Sequence, residues 1–303
     1  MTKKVLMVGL GEVLWDLLPS GKVLGGAPAN FAYMTTVLGD QGTLASRVGN
    51  DDLGQQACQA MERLGLSTSY VQHDEQHETG VAEVVIDSVG QPTFTIREFV
   101  AWDFLEWAPA WKELAARSDV VCFGSLAQRS PASAGTIERF LLNMPAKALR
   151  ICDANLREPF YSADTLRRSF RHAHVVKLND QELHRVSLLL GMENGNEQML
   201  ARRLLHEFGL GLVCVTRGER GSLLVSQEEA VEHKGFNVRV ADAVGAGDAF
   251  TACVAHNYML GKSLEEISEI ANRFAAWVAT QVGATPVVEE AQLQEILNGM
   301  TLG

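Results

Sequence analysis

The sequence has 303 residues, of which 47% are hydrophobic and 21% are charged, a composition typical of a globular protein with an apolar core. Its net charge of −11, from 37 acidic and 26 basic side chains, disfavours nucleic acid as a partner, because binding phosphates would require an excess of basic groups. The sequence contains no apolar run of about 18 residues that would predict a membrane span.

The N-terminal part of the chain predicts strands and helices separated by glycine turns. Glu12 and Asp16 interrupt the apolar start before a secretory signal could be complete, so we expect a buried strand there. Two runs of alternating apolar and polar residues, joined by Val89-Gly90-Gln91-Pro92, predict a hairpin. The predicted elements are the strand Val5–Leu10, the helix Ala29–Leu38, the strand Leu44–Val48, the helix Leu53–Leu64 capped by Gly65, and the hairpin strands Val81–Ser88 and Thr93–Phe99.

From Asp119 onwards, short apolar runs alternate with helical stretches, which predicts a mostly parallel sheet covered by helices on both faces. No repeat or long linker interrupts the pattern. We therefore expect one α/β domain over residues 1–303, with a small β outgrowth at residues 80–100. The predicted elements are the strands Val120–Gly124, Arg150–Ala154, Val175–Leu178 and Leu212–Thr216, the late strands Leu223–Ser226 and Phe236–Val240, and the helices Ala249–Leu260 and Leu264–Val282.

The five cysteines show no spacing typical of a metal site. Three of them lie in apolar runs, where a free thiol behaves as a small hydrophobic group. We therefore expect a reduced, cytoplasmic protein. The cysteines are Cys58, Cys122, Cys152, Cys214 and Cys253.

The strongest local motif is Asp242–Phe250, in which small residues lie between a predicted strand and a predicted helix. The backbone N–H groups of Gly245, Ala246 and Gly247 can point into one concavity at the positive end of the helix dipole, which favours an anion. Asp248 follows in the first helical turn. A carboxylate there would repel a phosphate, so its expected role is to accept a proton from an attacking hydroxyl. The alternative is an ordinary helix start with a favourable acidic residue.

A second motif, Thr216-Arg217-Gly218-Glu219-Arg220-Gly221, follows the apolar run Leu212–Val215. Glycines at the end of a strand permit the backbone to approach a phosphate or a base closely. The alternative is a plain hairpin turn.

Polar residues also follow two other predicted strands, where ligand groups of open parallel sheets lie. In Asp153-Ala154-Asn155-Leu156-Arg157, Arg157 is placed to clamp a phosphoryl group. In Lys177-Leu178-Asn179-Asp180-Gln181-Glu182, Asn179 and Glu182 are three residues apart and can reach Mg²⁺ through water. The alternatives are a surface ion pair for Arg157 and a helix capping box for Asn179 and Glu182.

Near the N-terminus, Glu12, Asp16, Gly25, Gly26 and Asn30 form a polar cluster around a glycine turn and a helix start. Carboxylate and amide groups suit sugar hydroxyls, because each hydroxyl both donates and accepts a hydrogen bond. The alternative is an acidic surface loop.

Several other chemistries lack their motifs. Gly9-Leu10-Gly11 begins like a dinucleotide-binding turn, but Leu14 stands where the third glycine would fall, which disfavours an NAD(P)-dependent oxidoreductase. The sequence contains no GxxxxGK[ST], HExxH or CxxC, so neither a P-loop nor a tight zinc site is expected.

Taken together, these motifs resemble the ribokinase-like (PfkB) family of carbohydrate kinases, most closely its fructokinase branch. The resemblance extends from about Val5 to Ala284 and depends on two signatures, Gly25-Gly26-Ala27-Pro28-Ala29-Asn30 and Asp242-Ala243-Val244-Gly245-Ala246-Gly247-Asp248. It implies a ribokinase-like α/β fold with a small β-sheet lid, formed by the 80–100 hairpin and part of the N-terminal segment, that also serves in homodimerisation. It further implies ATP and Mg²⁺ as cofactors, with K⁺ as a possible activator.

The resemblance assigns a role to each motif. The implied catalytic residues are Asp248 as base, Gly245, Ala246 and Gly247 as anion hole, and Arg157; the implied sugar-binding residues are Asp16, Gly25, Gly26 and Asn30; the implied nucleotide-binding residues are Asn179, Thr216, Gly218, Gly221 and Asn272; and the implied metal-site residues are Glu182 for Mg²⁺ through water and Asp242 for K⁺.

The expected activity is phosphoryl transfer from ATP to a sugar hydroxyl, with fructose as the first candidate. Glu12–Asp16 and Asp153–Arg157 resemble the corresponding stretches of fructokinases, with Ala154 in place of proline, whereas Ala243 and Trp102 depart from the family pattern. The alternative substrates are 2-keto-3-deoxygluconate and ribose or a nucleoside. An alternative of another class is a non-catalytic sugar sensor that kept the kinase fold.

Overall fold

The computed structural model describes residues 4–18, 21–86 and 92–299. The strands are β1 (Leu6–Leu10), β2 (Leu14–Leu18), β3 (Gly21–Gly25), β4 (Gln41–Gly49), β5 (Val71–Asp74), β6 (Gly80–Ile86), β7 (Pro92–Ile96), β8 (Val120–Gly124), β9 (Leu149–Asp153), β10 (Val175–Asn179), β11 (Leu212–Thr216), β12 (Ser222–Ser226) and β13 (Ala230–His233). The helices are α1 (Ala27–Val37), α2 (Asp52–Arg63), α3 (Pro109–Arg117), α4 (Pro131–Asn143), α5 (Ala163–His172), α6 (Asp180–Leu190), α7 (Glu197–Phe208), α8 (Ala246–Met259), α9 (Leu264–Ala279) and α10 (Glu290–Asn298).

The large sheet has the strand order β13-β12-β11-β10-β9-β8-β1-β4-β5. From β11 to β5 every neighbouring pair is parallel, whereas β12 pairs antiparallel with both β11 and β13. The central strands are buried on both faces, which explains why they appear in the sequence as continuous apolar runs. The predicted fold class, a mostly parallel sheet flanked by helices, is confirmed.

Helices cover both faces of this sheet, and successive strand residues face opposite layers. Met7 packs into a core with Phe31 of α1 and Phe250 of α8, whereas Val8 packs into a second core with Phe140 of α4. The period-2 alternation of a strand therefore divides the apolar side chains of β1 between two cores.

A smaller sheet has the order β3-β2-β6-β7 and lies beside the start of α1. The β2–β3 and β6–β7 pairs are antiparallel, and the β2–β6 pair is parallel. The predicted hairpin is therefore one half of this sheet, although its second strand ends at Ile96 and not at Phe99. Residues 87–91, which include most of the predicted connection Val89-Gly90-Gln91-Pro92, lie outside the described residues.

One predicted strand is wrong. Residues 236–240 were expected to form a late strand, but the edge strand is β13, which ends at His233. Gly235 has a φ of 78°, so the chain turns away from the sheet there. The backbone N–H of Ala241 then donates to the carbonyl of Ala279. In the described part of the chain, no helix is long and apolar enough to cross a membrane.

Candidate active site

The carboxyl ends of the parallel strands and the N-terminus of α8 meet at one edge of the large sheet. Asp248 is the third residue of α8. One of its carboxylate oxygens, Oδ2, accepts a hydrogen bond of 2.7 Å from Nδ2 of Asn30 in α1. The two sequence signatures, 218 positions apart, are thus joined through a direct contact. Proximity of the predicted base to the predicted sugar-binding amide is what a hydroxyl-activating site requires.

Gly245 shapes the loop before Asp248. Its φ is 80°, and a Cβ at this position would lie 2.6 Å from Cα of Ala284, so both the backbone conformation and the close packing favour glycine. The N–H of Ala246 donates to the carbonyl of Ala243 at 3.3 Å. In the described structure, the N–H groups of Gly247 and Asp248 have no such backbone acceptor, as expected in the first turn of a helix. Of the predicted anion hole, Gly245 and Gly247 thus keep N–H groups without a backbone acceptor among the described residues, whereas that of Ala246 is used within the loop. Asp248 adds another free donor, and the binding of an anion by these amides stays a prediction.

The electrostatic environment raises the pKa of Asp248 to about 6. Burial is the largest cause, and the negative charge of Asp153 adds to it. The hydrogen bond from Asn30 and the positive charges of Lys177 and Arg157 oppose the rise. At neutral pH the side chain is therefore an ionised carboxylate that binds a proton more tightly than an ordinary aspartate, which suits a general base.

Next to Asp248, Asp153 at the end of β9 and Lys177 in β10 form a buried ion pair. The ammonium Nζ lies 3.1 Å from each carboxylate oxygen of Asp153. Burial alone would lower the pKa of Lys177, but the carboxylates of Asp153, Glu182 and Asp248 raise it above its ordinary value. The sequence predicts no role for either residue, because only their positions at adjacent strand ends could suggest the pairing.

Glu12, in the loop after β1, is buried rather than part of a surface loop. Its Oε2 has no hydrogen-bond partner in the described structure. Burial raises its pKa to about 7, and Asp248 and Asp153 contribute to the rise, while its own backbone N–H and Arg157 oppose it. A buried carboxyl group without a partner costs free energy, which makes Glu12 a candidate to bind a polar group of a ligand.

The predicted sugar-binding turn is assembled around Asp16 of β2. A Cβ on Gly25 would lie 2.6 Å from Oδ2 of Asp16, and a Cβ on Gly26, whose φ is 114°, would lie 2.6 Å from the carbonyl oxygen of Glu12. Burial raises the pKa of Asp16, and the charge of Arg157 opposes this. Arg157 is exposed, and its side chain makes no hydrogen bond or ion pair with the described residues, so its guanidinium is available to a ligand.

Asn179 and Glu182 form the capping box that was the alternative interpretation. The carboxylate of Glu182 accepts hydrogen bonds from the N–H of Asn179 at 2.8 Å and of Leu156 at 2.7 Å, while Oδ1 of Asn179 accepts from the N–H of Glu182 at 2.8 Å. Each oxygen keeps a second lone pair, so a water-mediated role toward Mg²⁺ stays a prediction.

The predicted nucleotide-binding residues cluster around the turn between β11 and β12, which is structurally the hairpin turn of the alternative interpretation. Gly218 and Gly221 have φ values of 59° and 81°. Oγ1 of Thr216 donates to the carbonyl of Leu178 at 3.4 Å. Asn272 is buried in α9, and its Nδ2 donates to Oγ of Ser222 at 2.7 Å. Asn272 thus connects α9 to β12. Contact with a nucleotide stays a prediction for these four residues and for Asn179.

Asp242, the predicted K⁺ residue, connects two loops. Its Oδ1 accepts from the N–H of Val244 at 3.0 Å, and its Oδ2 accepts from the N–H of Gly283 at 3.2 Å. Across residues 4–18, 21–86 and 92–299, no three His, Cys, Asp or Glu side chains cluster to hold a metal ion.

A carboxylate in a first helical turn, with free backbone donors beside it at the carboxyl edge of an open α/β sheet, offers the positioning and charge stabilisation that phosphoryl transfer requires. Residues 20–291 match the family described as pfkB family carbohydrate kinase. The chain therefore belongs to the pfkB family of carbohydrate kinases. The resemblance predicted from the sequence is confirmed, as is the prediction of an enzyme that transfers a phosphoryl group to a sugar hydroxyl.

Individual relatives extend over nearly the whole chain. Fructokinase of Escherichia coli is 29% identical over 91% of this chain and 93% of its own. The structure of a Pyrococcus horikoshii sugar kinase in complex with ATP has a TM-score of 0.80 and 25% identity, over 97% of this chain and 99% of that one. A fructokinase double mutant of Vibrio cholerae O395, bound to fructose, ADP and a potassium ion, has a TM-score of 0.80. It covers 97% of this chain and 98% of its own at 24% identity, which shows the shared fold.

Proposed function

We propose that this sugar kinase transfers the γ-phosphoryl group of ATP to a hydroxyl of a ketohexose, with fructose as the preferred substrate. The observation that carries the proposal is the hydrogen bond between Asn30 and Asp248. It supports the proposal because the predicted base and the predicted sugar-binding amide are in contact, beside the N–H groups of the α8 N-terminus.

In the proposed reaction, Asp248 accepts the proton of the attacking hydroxyl. A bond forms between that oxygen and the γ-phosphorus, and the bond from the γ-phosphorus to the β–γ bridging oxygen breaks, so that ADP leaves. The N–H groups of Gly247 and Asp248 stabilise the charge on the transferred group, and Arg157 clamps it. The chain supplies positioning and charge, which are the main contributions to catalysis of phosphoryl transfer.

The nucleotide would lie along the turn that contains Thr216, Gly218 and Gly221, as the family resemblance implies. Asn179 and Glu182 would hold Mg²⁺ through water, and the ion would neutralise charge on the phosphates. The small sheet formed by β2, β3, β6 and β7 would act as a lid over the sugar and as the surface of a homodimer.

Fructose is favoured over other sugars by several features. Asp16, Glu12 and Asn30 offer acceptors and a donor to a polyhydroxylated ring, and a site built around hydroxyls rejects analogues that lack them. The Asp153–Arg157 stretch resembles that of fructokinases, and the relative from Escherichia coli carries that name. A 2-keto-3-deoxygluconate kinase is the second candidate, because the guanidinium of Arg157, which pairs with no group among the described residues, could bind the carboxylate of that sugar acid. Ribose and nucleosides are the third.

A substrate panel tests this assignment. With fructose, kcat/KM is expected to exceed the values for ribose, 2-keto-3-deoxygluconate and an aminoimidazole riboside, measured in a coupled assay for ADP. If one of these three exceeds fructose tenfold, a difference of about 1.4 kcal/mol in transition-state stabilisation, the fructose assignment is wrong while the sugar-kinase class stands.

The activity is expected to depend on the ionisation of Asp248. Because the pKa of this side chain is raised to about 6, the active carboxylate is present above that pH and is lost as the pH falls through it. At saturating ATP and sugar, kcat should fall about tenfold for each pH unit below the midpoint. Circular dichroism at each pH controls for unfolding. A midpoint at about 4, the value of an ordinary aspartate, would contradict the assignment.

Potassium is expected to raise the rate severalfold. Asp242 already orders the loops at Val244 and Gly283, and each of its oxygens keeps a lone pair for a cation. An ordered loop would hold the amide donors of α8 in place. The measurement compares kcat in potassium and in tetramethylammonium buffers of equal ionic strength, and equal rates would count against the site.

A further inference from the structure

Two strands, β9 and β10, and the helix α8 meet at a buried network below the predicted anion-binding loop. Lys177 is 8% exposed, and two of the three donors of its ammonium group are directed to Oδ1 and Oδ2 of Asp153, each at 3.1 Å. Oγ1 of Thr251, one turn after Asp248 in α8, lies 3.2 Å from Oδ2 of Asp153 and 2.9 Å from the carbonyl of Gly247. The network therefore connects β9 and β10 to the first turn of the helix that carries the base.

The ammonium group also touches the loop itself. A Cβ on Gly247 would lie 3.0 Å from Nζ of Lys177, so the charged nitrogen packs directly against a residue of the predicted anion hole. A lysine is costly to bury without a counter-charge, and the Asp153 carboxylate supplies one. One positive and one negative charge are therefore fixed next to the first turn of α8. The buried surroundings have a low dielectric constant and screen these charges only weakly.

We propose that Asp153 and Lys177 act as a buried positioning pair for phosphoryl transfer, which holds Gly247 and the first turn of α8 in place and sets the electrostatic field at Asp248. This inference rests on the role of Asp248 as base argued above. Neither residue needs to touch the substrate for this role.

Other groups also lie near Asp248 and contribute to its electrostatic environment together with the pair. Asn30 approaches from α1 through its hydrogen bond. The charged and titratable groups come from four elements. They are Glu12 from the loop after β1, Cys122 from β8, Asp153 and Arg157 from β9 and the segment after it, and Lys177 from β10.

The two members of the pair have opposite charges, so their removal should act in opposite directions. Asp153→Asn removes a nearby negative charge, and the proton affinity of Asp248 should fall. Lys177→Met removes a nearby positive charge, and the proton affinity should rise. Each midpoint is expected to move by about one pH unit. A pair that only stabilised the fold would not move the midpoint in two opposite directions.

The experiment follows the full-length protein by two measurements. The first is the pH profile of kcat at saturating ATP and fructose. The second is the carboxyl ¹³C titration of Asp248 without ligands, assigned by comparison with Asp248→Asn. The double variant Asp153→Asn/Lys177→Met leaves no unpaired buried charge, so Asp248 should titrate near its wild-type midpoint in this protein. This variant keeps the test valid if Lys177→Met does not fold. Lys177→Arg retains the charge and should also keep the midpoint.

A matched control removes a different buried carboxylate. Asp74 pairs with Arg47 at 2.8 Å on the β4–β5 edge, and both side chains are about as buried as those of Asp153 and Lys177. Asp74→Asn should leave the ¹³C midpoint of Asp248 unchanged. Shifts of Asp153→Asn and Lys177→Met in the same direction, or no ¹³C shift in any variant, would overturn the proposal. The two single variants could also show opposite ¹³C shifts while their kcat profiles stay unchanged. That result would support the control of the Asp248 pKa by the pair, but it would overturn the assignment of Asp248 as base.

Discussion

Replacing Asp248 with asparagine is expected to lower kcat by about 10²–10⁴-fold, the range for loss of a general base. Asparagine keeps the shape of the side chain, and its amide oxygen can still accept the hydrogen bond from Asn30, which is 2.7 Å long in the wild-type site. Binding of ATP and of sugar, measured by calorimetry, should change little. A variant that turns over at nearly the wild-type rate would remove Asp248 from the mechanism.

The same variant provides its own control for folding, because its stability should rise as its activity falls. The pKa of Asp248 is about 6 in the folded protein, above the ordinary aspartate value of 3.8, so ionisation of this group opposes folding. The free energy of unfolding of the wild-type protein therefore loses up to about 3 kcal/mol as the pH rises through this interval. Asp248→Asn should be the more stable protein at pH 8 in denaturant titrations, and the advantage should disappear at about pH 4.

The second large effect is expected from Gly245→Ala. A Cβ at this position would lie 2.6 Å from the Cα of Ala284, and the φ of 80° disfavours any side chain, so the loop must move. Displacement of the loop would carry the N–H groups of Gly247 and Asp248 away from the transferred phosphoryl group. We expect kcat to fall by about 10²–10³-fold, the loss typical of a missing oxyanion donor.

Gly261→Ala is the matched control for this variant. Gly261 follows α8 at its other end and has a φ of 71°, but a Cβ there would meet no atom within 4 Å. It should lower the free energy of unfolding by about 1–2 kcal/mol through backbone strain alone and leave kcat at the wild-type value. If both alanine variants lose activity equally, strain rather than the position of the loop explains the effect, and the anion-loop assignment fails.

Much of the site could be predicted from the sequence because its signals are local. Apolar runs of strand length, separated by helical stretches, determine a parallel sheet, and polar residues after those runs must then lie at its carboxyl edge. Gly245 and the small residues after it determine a tight loop before a helix, which places Asp248 in a first turn. The capping box at Asn179 and Glu182 is equally local, and the spacing of the two residues predicts it as an alternative to metal binding.

The sequence predicts local structure incorrectly where tertiary contacts compete with the strand propensity of a segment. Residues 236–240 have the alternating pattern of a strand, yet the chain turns at Gly235, and the N–H of Ala241 pairs with the carbonyl of Ala279 instead. Only half of the small sheet was predicted in detail, because its β2–β6 pairing joins segments more than 60 residues apart. A pattern along the chain carries no information on such pairings.

The sequence by itself determined the fold class, the family and the position of the predicted base, since each depends on residue type and spacing along the chain. Only the tertiary structure decided which charges surround that base. The contact of Asn30 with Asp248, the pairing of Lys177 with Asp153 and the burial of Glu12 bring together residues from distant elements. The reason is physical: a pKa depends on burial and on the distance to other charges, and both quantities exist only once the chain has folded.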